Sequence, residues 1–374
     1  MRKIAINATF THKHPTGLGI YTIELVKELL RLKTDFDFFV HANSTELKEL
    51  FTGKVALPNG FTSPYYGFKG HACRIIWEQS ILPLKLLKQK PLLLYSTVTE
   101  GLFIPFVKQI ITVHDIISIR FTEAYPKMKY YFRHFVPYLL KSSDAIICVS
   151  EFTKKEMFAH YNIQPNKPVY VIHEGYDKKN FYPREKGFVK KQYGLEKYIF
   201  YVGDMRAHKN LEKAIEAFHR LNRKDIKFVI AGKKDPRFYP VHEEKVKKLS
   251  LQERVFFLDY VPQEYLPNLY SEAEAFIFPS LYEGFGLPPL EAMACGCPVI
   301  TSNAASLPEV CGNAASYVDP YNIESITEGI NNIIKDKALQ ESLRIKGLER
   351  AKLFSWEKSA REHLNVFEDV LNKT

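Results

Sequence analysis

The sequence predicts an α/β protein made of two Rossmann-like domains facing across a cleft. Three observations carry this. Short apolar runs alternate with amphipathic helical stretches from end to end, the pattern of parallel strands covered on both faces. The alternation falls into two series, and 374 residues at 46% hydrophobic content are enough for two cores. A glycine-bearing turn follows the first strand of each series. Open parallel sheets bind their ligands there, outside the carboxyl ends of the strands.

In the first series, strands are expected at Ile4–Asn7, Phe38–His41, Leu92–Tyr95, Ile110–Val113, Ala145–Val149 and Val169–Ile172. In the second they are expected at Tyr198–Val202, Lys227–Ala231, Val255–Leu258, Ala275–Phe278, Pro298–Thr301 and Ser316–Val318. Helical periodicity marks Ile20–Leu32, Leu211–Leu221, Ile323–Lys335 and a final helix, Trp356–Leu371. The boundaries that follow are a first domain over 1–180, a second over 198–355 and a C-terminal helix over 356–374. The polar stretch Tyr176–Lys197 with Pro183 and Gly187 reads as the linker.

Composition excludes several classes. No run of about 18 apolar residues spans a membrane, and the apolar part of Met1–Asn7 is too short for a signal peptide. The five cysteines follow no zinc spacing, and Cys295-Gly-Cys297 reads as small residues at a helix end. A reducing cytoplasm fits. A net charge of +10 calls for an acidic partner, phosphates or anionic lipid. No RNA-binding signature, zinc finger or basic tail is present, so no nucleic-acid partner is expected.

The densest motif is Pro279-Ser-Leu-Tyr-Glu283-Gly284-Phe285-Gly286-Leu287-Pro288-Pro289-Leu290-Glu291, directly after an apolar strand. Pro288 and Pro289 suit a first helical turn. This puts Glu283 on a strand-to-helix loop and Glu291 on the helix, with backbone N–H groups from Gly286 to Leu290 aimed above the strand end. Such an end favours anions, phosphate above all. Carboxylates beside it are better suited to hydroxyls, and a ligand with phosphates and hydroxyls at both ends is a nucleotide-sugar. Gly203-Asp204-Met-Arg206-Ala-His208-Lys209-Asn210 follows the first strand of the second series. Arg206 and Lys209 could neutralise a diphosphate, and Asn210 suits a helix N-cap. Gly232 ends the next strand, where backbone can lie against a base or ribose.

In the first series, Gly17-Leu-Gly19 opens a helix after the first strand, without the third glycine and acidic partner of a dinucleotide fingerprint. His114-Asp115 ends a strand, a common place for chemistry, although Asp115 could equally cap the next turn. Arg74-Ile-Ile-Trp77-Glu78-Gln79 opens an apolar helix that ends in Lys85, Lys88 and Lys90, readable as an acceptor-side or membrane-facing element or as ordinary surface. Lys127–Phe135 repeats the basic–aromatic theme. Asp35-Phe-Asp37 has the form of a metal-binding pair but sits at the start of a strand, so it reads as a turn and no metal is expected.

The paired glutamates, together with Val202-Gly203…Lys209-Asn210 and Val299-Ile-Thr-Ser302…Leu307-Pro308-Glu309, resemble the family 4 retaining glycosyltransferases of the two-domain GT-B fold, over nearly the whole chain. That resemblance implies that Glu283 holds donor sugar hydroxyls and Glu291 the ribose. It implies that the amides of Gly284, Phe285, Gly286 and Leu287 contact sugar and distal phosphate, that Lys209 and Arg206 grip the diphosphate, and that His114 lies beside the donor sugar. Gly17 and Gly19 would close the phosphate side, and the last helix would cross back to the first domain. In many relatives an arginine directly follows the glycine; here Asp204 does, and His208 stands where some carry an arginine. The resemblance is strongest to bacterial polysaccharide mannosyl- and rhamnosyltransferases. It implies a metal-independent hexosyl transfer, with GDP-mannose the first choice of donor, to a saccharide or polyprenyl-linked acceptor at the inner face of a membrane. A nucleotide-sugar 2-epimerase of the same fold and a non-catalytic binding module are the alternatives.

Overall fold

The computed structural model describes every residue except 12–14, 16, 57–59, 222 and 374. The chain divides into two compact units, Met1–Gly175 with Ser355–Thr374, and Tyr176–Phe354.

The first unit is built on parallel strands β1 (Arg2–Ala8), β2 (Phe36–Ala42), β3 (Val55–Ala56), β4 (Leu93–Ser96), β5 (Lys108–Val113), β6 (Ala145–Cys148) and β7 (Val169–Val171), in the order β3-β2-β1-β4-β5-β6-β7. Ile4, Ile6, Ile110, Ile111, Ile146 and Ile147 are all buried. Strands covered on both faces need apolar residues at every position, so they read as continuous runs. The two-residue β3 is too short to leave a periodicity and was not expected. The chain's last helix, Trp356–Asn372, packs in this unit against helix Gly17–Arg31. The Tyr21 hydroxyl lies 3.1 Å from His363 Nε2 and 3.2 Å from the Tyr95 hydroxyl, and Phe367 packs on Tyr95 with ring centroids 5.1 Å apart.

The second unit has β8 (Tyr198–Val202), β9 (Lys227–Ala231), β10 (Val255–Asp259), β11 (Ala275–Phe278), β12 (Val299–Ser302) and β13 (Ala315–Val318), parallel, in the order β10-β9-β8-β11-β12-β13. Helix Ile323–Lys335 buries Ile326, Ile330 and Ile333 at helical spacing, and Asn322 caps it by accepting the Glu324 and Ser325 amides. The stretch Tyr176–Lys197, expected as a linker, is packed into this unit. It buries Phe181, Val189 and Leu195, and the Gly187 and Val189 amides donate to the Glu272 carboxylate at 2.8 and 3.0 Å. Its lysines and tyrosines masked the three apolar anchors.

In each sheet the strand order reverses beside its first strand, between β1 and β4 and between β8 and β11. The loops at the carboxyl ends flanking these two points are where such sheets hold ligands.

Candidate active site

In the second unit the loops after β8 and β11 are tied together at the reversal point. Asn210, with φ 60°, stands at the start of helix Leu211–Arg220 but does not cap it with its side chain. Its amide donates to Pro279 O at 3.0 Å and Pro320 O at 2.7 Å, and Leu281 N donates to His208 O at 2.7 Å. The fastening places Lys209 Nζ 2.7 and 3.0 Å from the two carboxylate oxygens of Glu283. The Ser280 hydroxyl donates to the same carboxylate, and Ser306 Oγ donates to the carbonyls of Glu283, at 3.0 Å, and Phe285. Burial works against the Lys209 charge, yet Glu283 and Asp204 hold its pKa above the ordinary lysine range. Burial pushes the Glu283 carboxyl up, with Lys209 and Ser280 opposing.

Arg206 is engaged by Asp204. Its Nη1 donates to Oδ2 at 2.6 Å and its amide to Oδ1 at 3.0 Å. Burial raises the Asp204 carboxyl, but Lys209 and Arg206 outweigh this and hold it below the usual range. Burial and the Lys209 charge push His208 down to about 3, so its ring is neutral near pH 7.

Two glycines here admit no side chain. A Cβ on Gly232, at φ 153°, would lie 2.0 Å from the Gly203 carbonyl oxygen, so the turns after β8 and β9 meet backbone to backbone. Gly286 has φ 125° and precedes helix Leu287–Ala294. Of the residues from Gly286 to Leu290 expected to present N–H groups, Pro288 and Pro289 have none, so fewer donors stand at this helix end. The Phe285 ring packs inward on Phe354, with centroids 5.8 Å apart, and anchors the loop that carries Gly284. Glu291 lies in the second helical turn, buried, with the Tyr270 hydroxyl donating to it at 3.3 Å. Burial pushes its pKa up to about 8.

In the first unit His114 follows β5. Its Nε2 faces the Thr97 carbonyl at 2.9 Å, which can only accept, so Nε2 carries a proton. Nδ1 lies 3.4 Å from Glu174, and Tyr21 packs edge-on at 4.4 Å. His114, Asp115, Leu18, Glu100 and Tyr131 share a small cleft. Asp115 accepts the Ile117 amide at 2.9 Å, which is the turn-capping role. Gly17 opens its helix exposed, and Gly19 is buried. Arg74 does not reach the surface. Nε and Nη2 clamp Glu100 at 2.6 and 2.7 Å and Nη1 donates to Thr62 O at 3.0 Å, so it meets the cleft only through Glu100. Asp35 and Asp37 lie at the amino end of β2, and among the described residues no group of three or more His, Cys, Asp or Glu side chains could hold a metal.

Residues 184–350 match the family model described as glycosyl transferases group 1, and residues 15–180 match that of glycosyltransferase family 4. O-antigen chain mannosyltransferase B of Escherichia coli is 32% identical over 269 residues, 70% of each chain. The chain belongs to the family 4 glycosyltransferases. Sucrose-phosphate synthase from Thermosynechococcus elongatus superimposes on it with TM-score 0.80 at 20% identity over all of both chains. Anabaena HepE in complex with UDP-glucose does so with TM-score 0.77 at 16% identity, covering 99% of this chain and all of the other. Both likenesses show the GT-B fold. In this glycosyltransferase the sequence pointed to Lys209, Glu283, Glu291 and the glycines, but not to what fixes them. Ser306, Tyr270 and Asn210 act through contacts between segments distant in sequence, whereas Ser280 acts within its own loop. Ser280, inside the glutamate motif, left a local signal, and Asn210 left one that pointed to a helix cap instead.

Proposed function

We propose that this glycosyltransferase moves a hexose from a nucleoside-diphosphate sugar, GDP-mannose in the first instance, to a saccharide or lipid-linked saccharide acceptor during synthesis of a cell-surface polysaccharide. The observation that carries this is the Lys209–Glu283 pair, held between two loops at the strand-order reversal. A buried cation there suits a diphosphate and a carboxylate suits sugar hydroxyls. Mannose is supported by the mannosyltransferase relative, and a nucleotide-sugar by the UDP-glucose held by a protein of the same fold.

The chemistry follows from these groups. The bond between the anomeric carbon and the phosphate oxygen breaks as Lys209, Arg206 and the loop amides take up the charge on the departing diphosphate. For Arg206 this requires release from Asp204 or service to both. Glu283 binds rather than attacks, because Lys209 and Ser280 already occupy its oxygens. The family resemblance favours a front-face route, in which the acceptor oxygen bonds to the anomeric carbon on the face the diphosphate leaves and its proton passes to a phosphate oxygen. The configuration is retained, and the positive groups of the protein serve in place of a metal ion.

Thermal stability against GDP, UDP, dTDP and ADP, with and without magnesium, tests the reading. A ligand specific to the native state adds about 2.7 kcal/mol at a hundredfold excess over Kd. A shift with GDP that is indifferent to magnesium and reduced in Glu291→Gln is expected. A shift with UDP or dTDP instead replaces the donor. No shift with any nucleotide overturns the assignment.

A further inference from the structure

Three cations at the carboxyl edge of the second sheet are each matched by a carboxylate. Lys209 is held by Glu283. On the loop after β8, Asp204 hooks Arg206 by its guanidinium at 2.6 Å and by its amide at 3.0 Å. On the loop after β9, Asp235 hooks Arg237 in the same way, with Nε and the amide both 2.9 Å from Oδ1 and Nη2 2.5 Å from Oδ2. A carboxylate that accepts the amide two residues on shapes a turn. Taking the guanidinium as well offsets the charge of the arginine. Asp204 goes further. Its carbonyl accepts the Tyr201 hydroxyl at 2.8 Å, which fixes its backbone. Its side chain stays 43% exposed, open to a ligand, and its charge acts on Lys209 as well as on Arg206. A loop that had only to grip a diphosphate would be better without this carboxylate, because a negative charge beside phosphates opposes their binding.

We propose that Asp204 loosens the grip on the nucleoside diphosphate so that it can leave, by competing with it for Arg206 and offsetting the field of Lys209. This rests on the nucleoside-diphosphate-sugar reading. When the bond from the anomeric carbon to the phosphate oxygen breaks, the electron pair stays on that oxygen, and the acceptor's proton passes to the phosphate. A free terminal phosphate has a second pKa of about 6, so near pH 7 that proton goes on to solvent. The product then carries one more negative charge than the sugar ester did. Unopposed cations would hold the product more tightly than the donor. Such grip does nothing for the chemical step, and product release limits turnover in many enzymes. With Asp204 in place, Arg206 has a second anionic partner to return to as the diphosphate departs. Asp204 acts through the two cations, as a positioning residue.

The test is calorimetric titration of GDP, UDP, dTDP and ADP, and of the mannose or glucose ester of whichever binds, into wild type and Asp204→Asn. Stopped flow supplies the dissociation rate of the diphosphate. Asparagine keeps an oxygen for the Arg206 amide, so the turn survives while the charge is removed. The diphosphate should bind Asp204→Asn about tenfold more tightly and leave more slowly, and the sugar ester should gain only about threefold. Asp204→Glu, which keeps the charge, should stay near wild type. So should Glu274→Gln, which lies at the amino end of β11 and changes net charge equally. Damage to the loop weakens binding, so tightening is a result that a merely structural role does not produce. Equal or weaker diphosphate binding by Asp204→Asn overturns the proposal, as does equal tightening of diphosphate and sugar ester. Wild type that binds none of the four nucleotides overturns the donor reading as well. Wild type that binds one of them, with no tightening in Asp204→Asn, overturns the role of Asp204 alone.

Discussion

Two largely buried cation–carboxylate clamps among the described residues differ in what surrounds them. Arg74–Glu100, in the first unit, is closed: the residues are 1% and 4% exposed, and Thr62 O takes an N–H that Glu100 does not. Lys209–Glu283, in the second unit, has side chains 14% and 13% exposed and sits on two loops at the carboxyl ends of β8 and β11. Arg74 sits on a helix with all three guanidinium nitrogens bonded, and it fixes Glu100 of the loop between β4 and β5, which is architecture. A pair on loops with an open edge can exchange partners, so that a ligand phosphate takes the lysine or a ligand hydroxyl takes the carboxylate. Burial and ion pairing alone do not mark a functional residue; the element that carries the cation and the open edge do.

The largest effect should come from breaking the closed clamp. Arg74→Met leaves Glu100 buried beside the His71 ring, at 3.0 Å, without its guanidinium partner. It should lower unfolding free energy by about 3–5 kcal/mol in urea denaturation, because a stranded buried charge costs more than the pair contributes. Arg74→Met/Glu100→Gln should recover part of that loss. A cost below about 1 kcal/mol together with lost activity would mean that Arg74 serves a ligand, and the contrast between the clamps would collapse.

Lys209→Ala should behave in the opposite way. Removing one preorganised positive group from a leaving-group site costs about 2.7–4 kcal/mol of transition-state stabilisation, or roughly 10²–10³ in kcat. Stability should fall less, by about 1–2 kcal/mol, because Glu283 can take up a proton and keep its bond to Ser280. Steady-state rates and urea midpoints on one preparation decide it. Near-normal turnover would remove Lys209 from the chemistry.

The same contrast explains what could be read from the sequence. Strands buried on both faces have to be apolar runs, so β8, β9 and β11 were legible to the residue. Lys209, Glu283 and Glu291 were legible because glycines and prolines fix the local backbone around them. The roles of Arg74 and Asn210 were not. Whether an arginine faces water or Glu100, and whether an asparagine caps its own helix or ties Pro279 to Pro320, depends on segments up to 110 residues away.

Glu291 allows a finer test, because the open site should also hold a group that titrates in a useful range. Burial holds its native pKa at about 8, above the ordinary glutamate value of 4.5. Between these values the native carboxyl keeps a proton that the unfolded chain has released. The unfolded state then binds fewer protons, so stability falls as pH rises from about 4.5 and levels off above about 8. Between roughly pH 6 and pH 8 the loss should be about 2 kcal/mol, and Glu291→Gln should flatten it. If the carboxylate accepts the ribose hydroxyls, nucleotide binding releases that proton. Affinity should then rise with pH toward 8 in wild type and stay flat in Glu291→Gln. A stability slope without an affinity slope would make Glu291 a second closed group like Arg74, bonded to Tyr270 and serving the fold. Both slopes together would place it with Lys209 and Glu283 on the side of the molecule that exchanges partners.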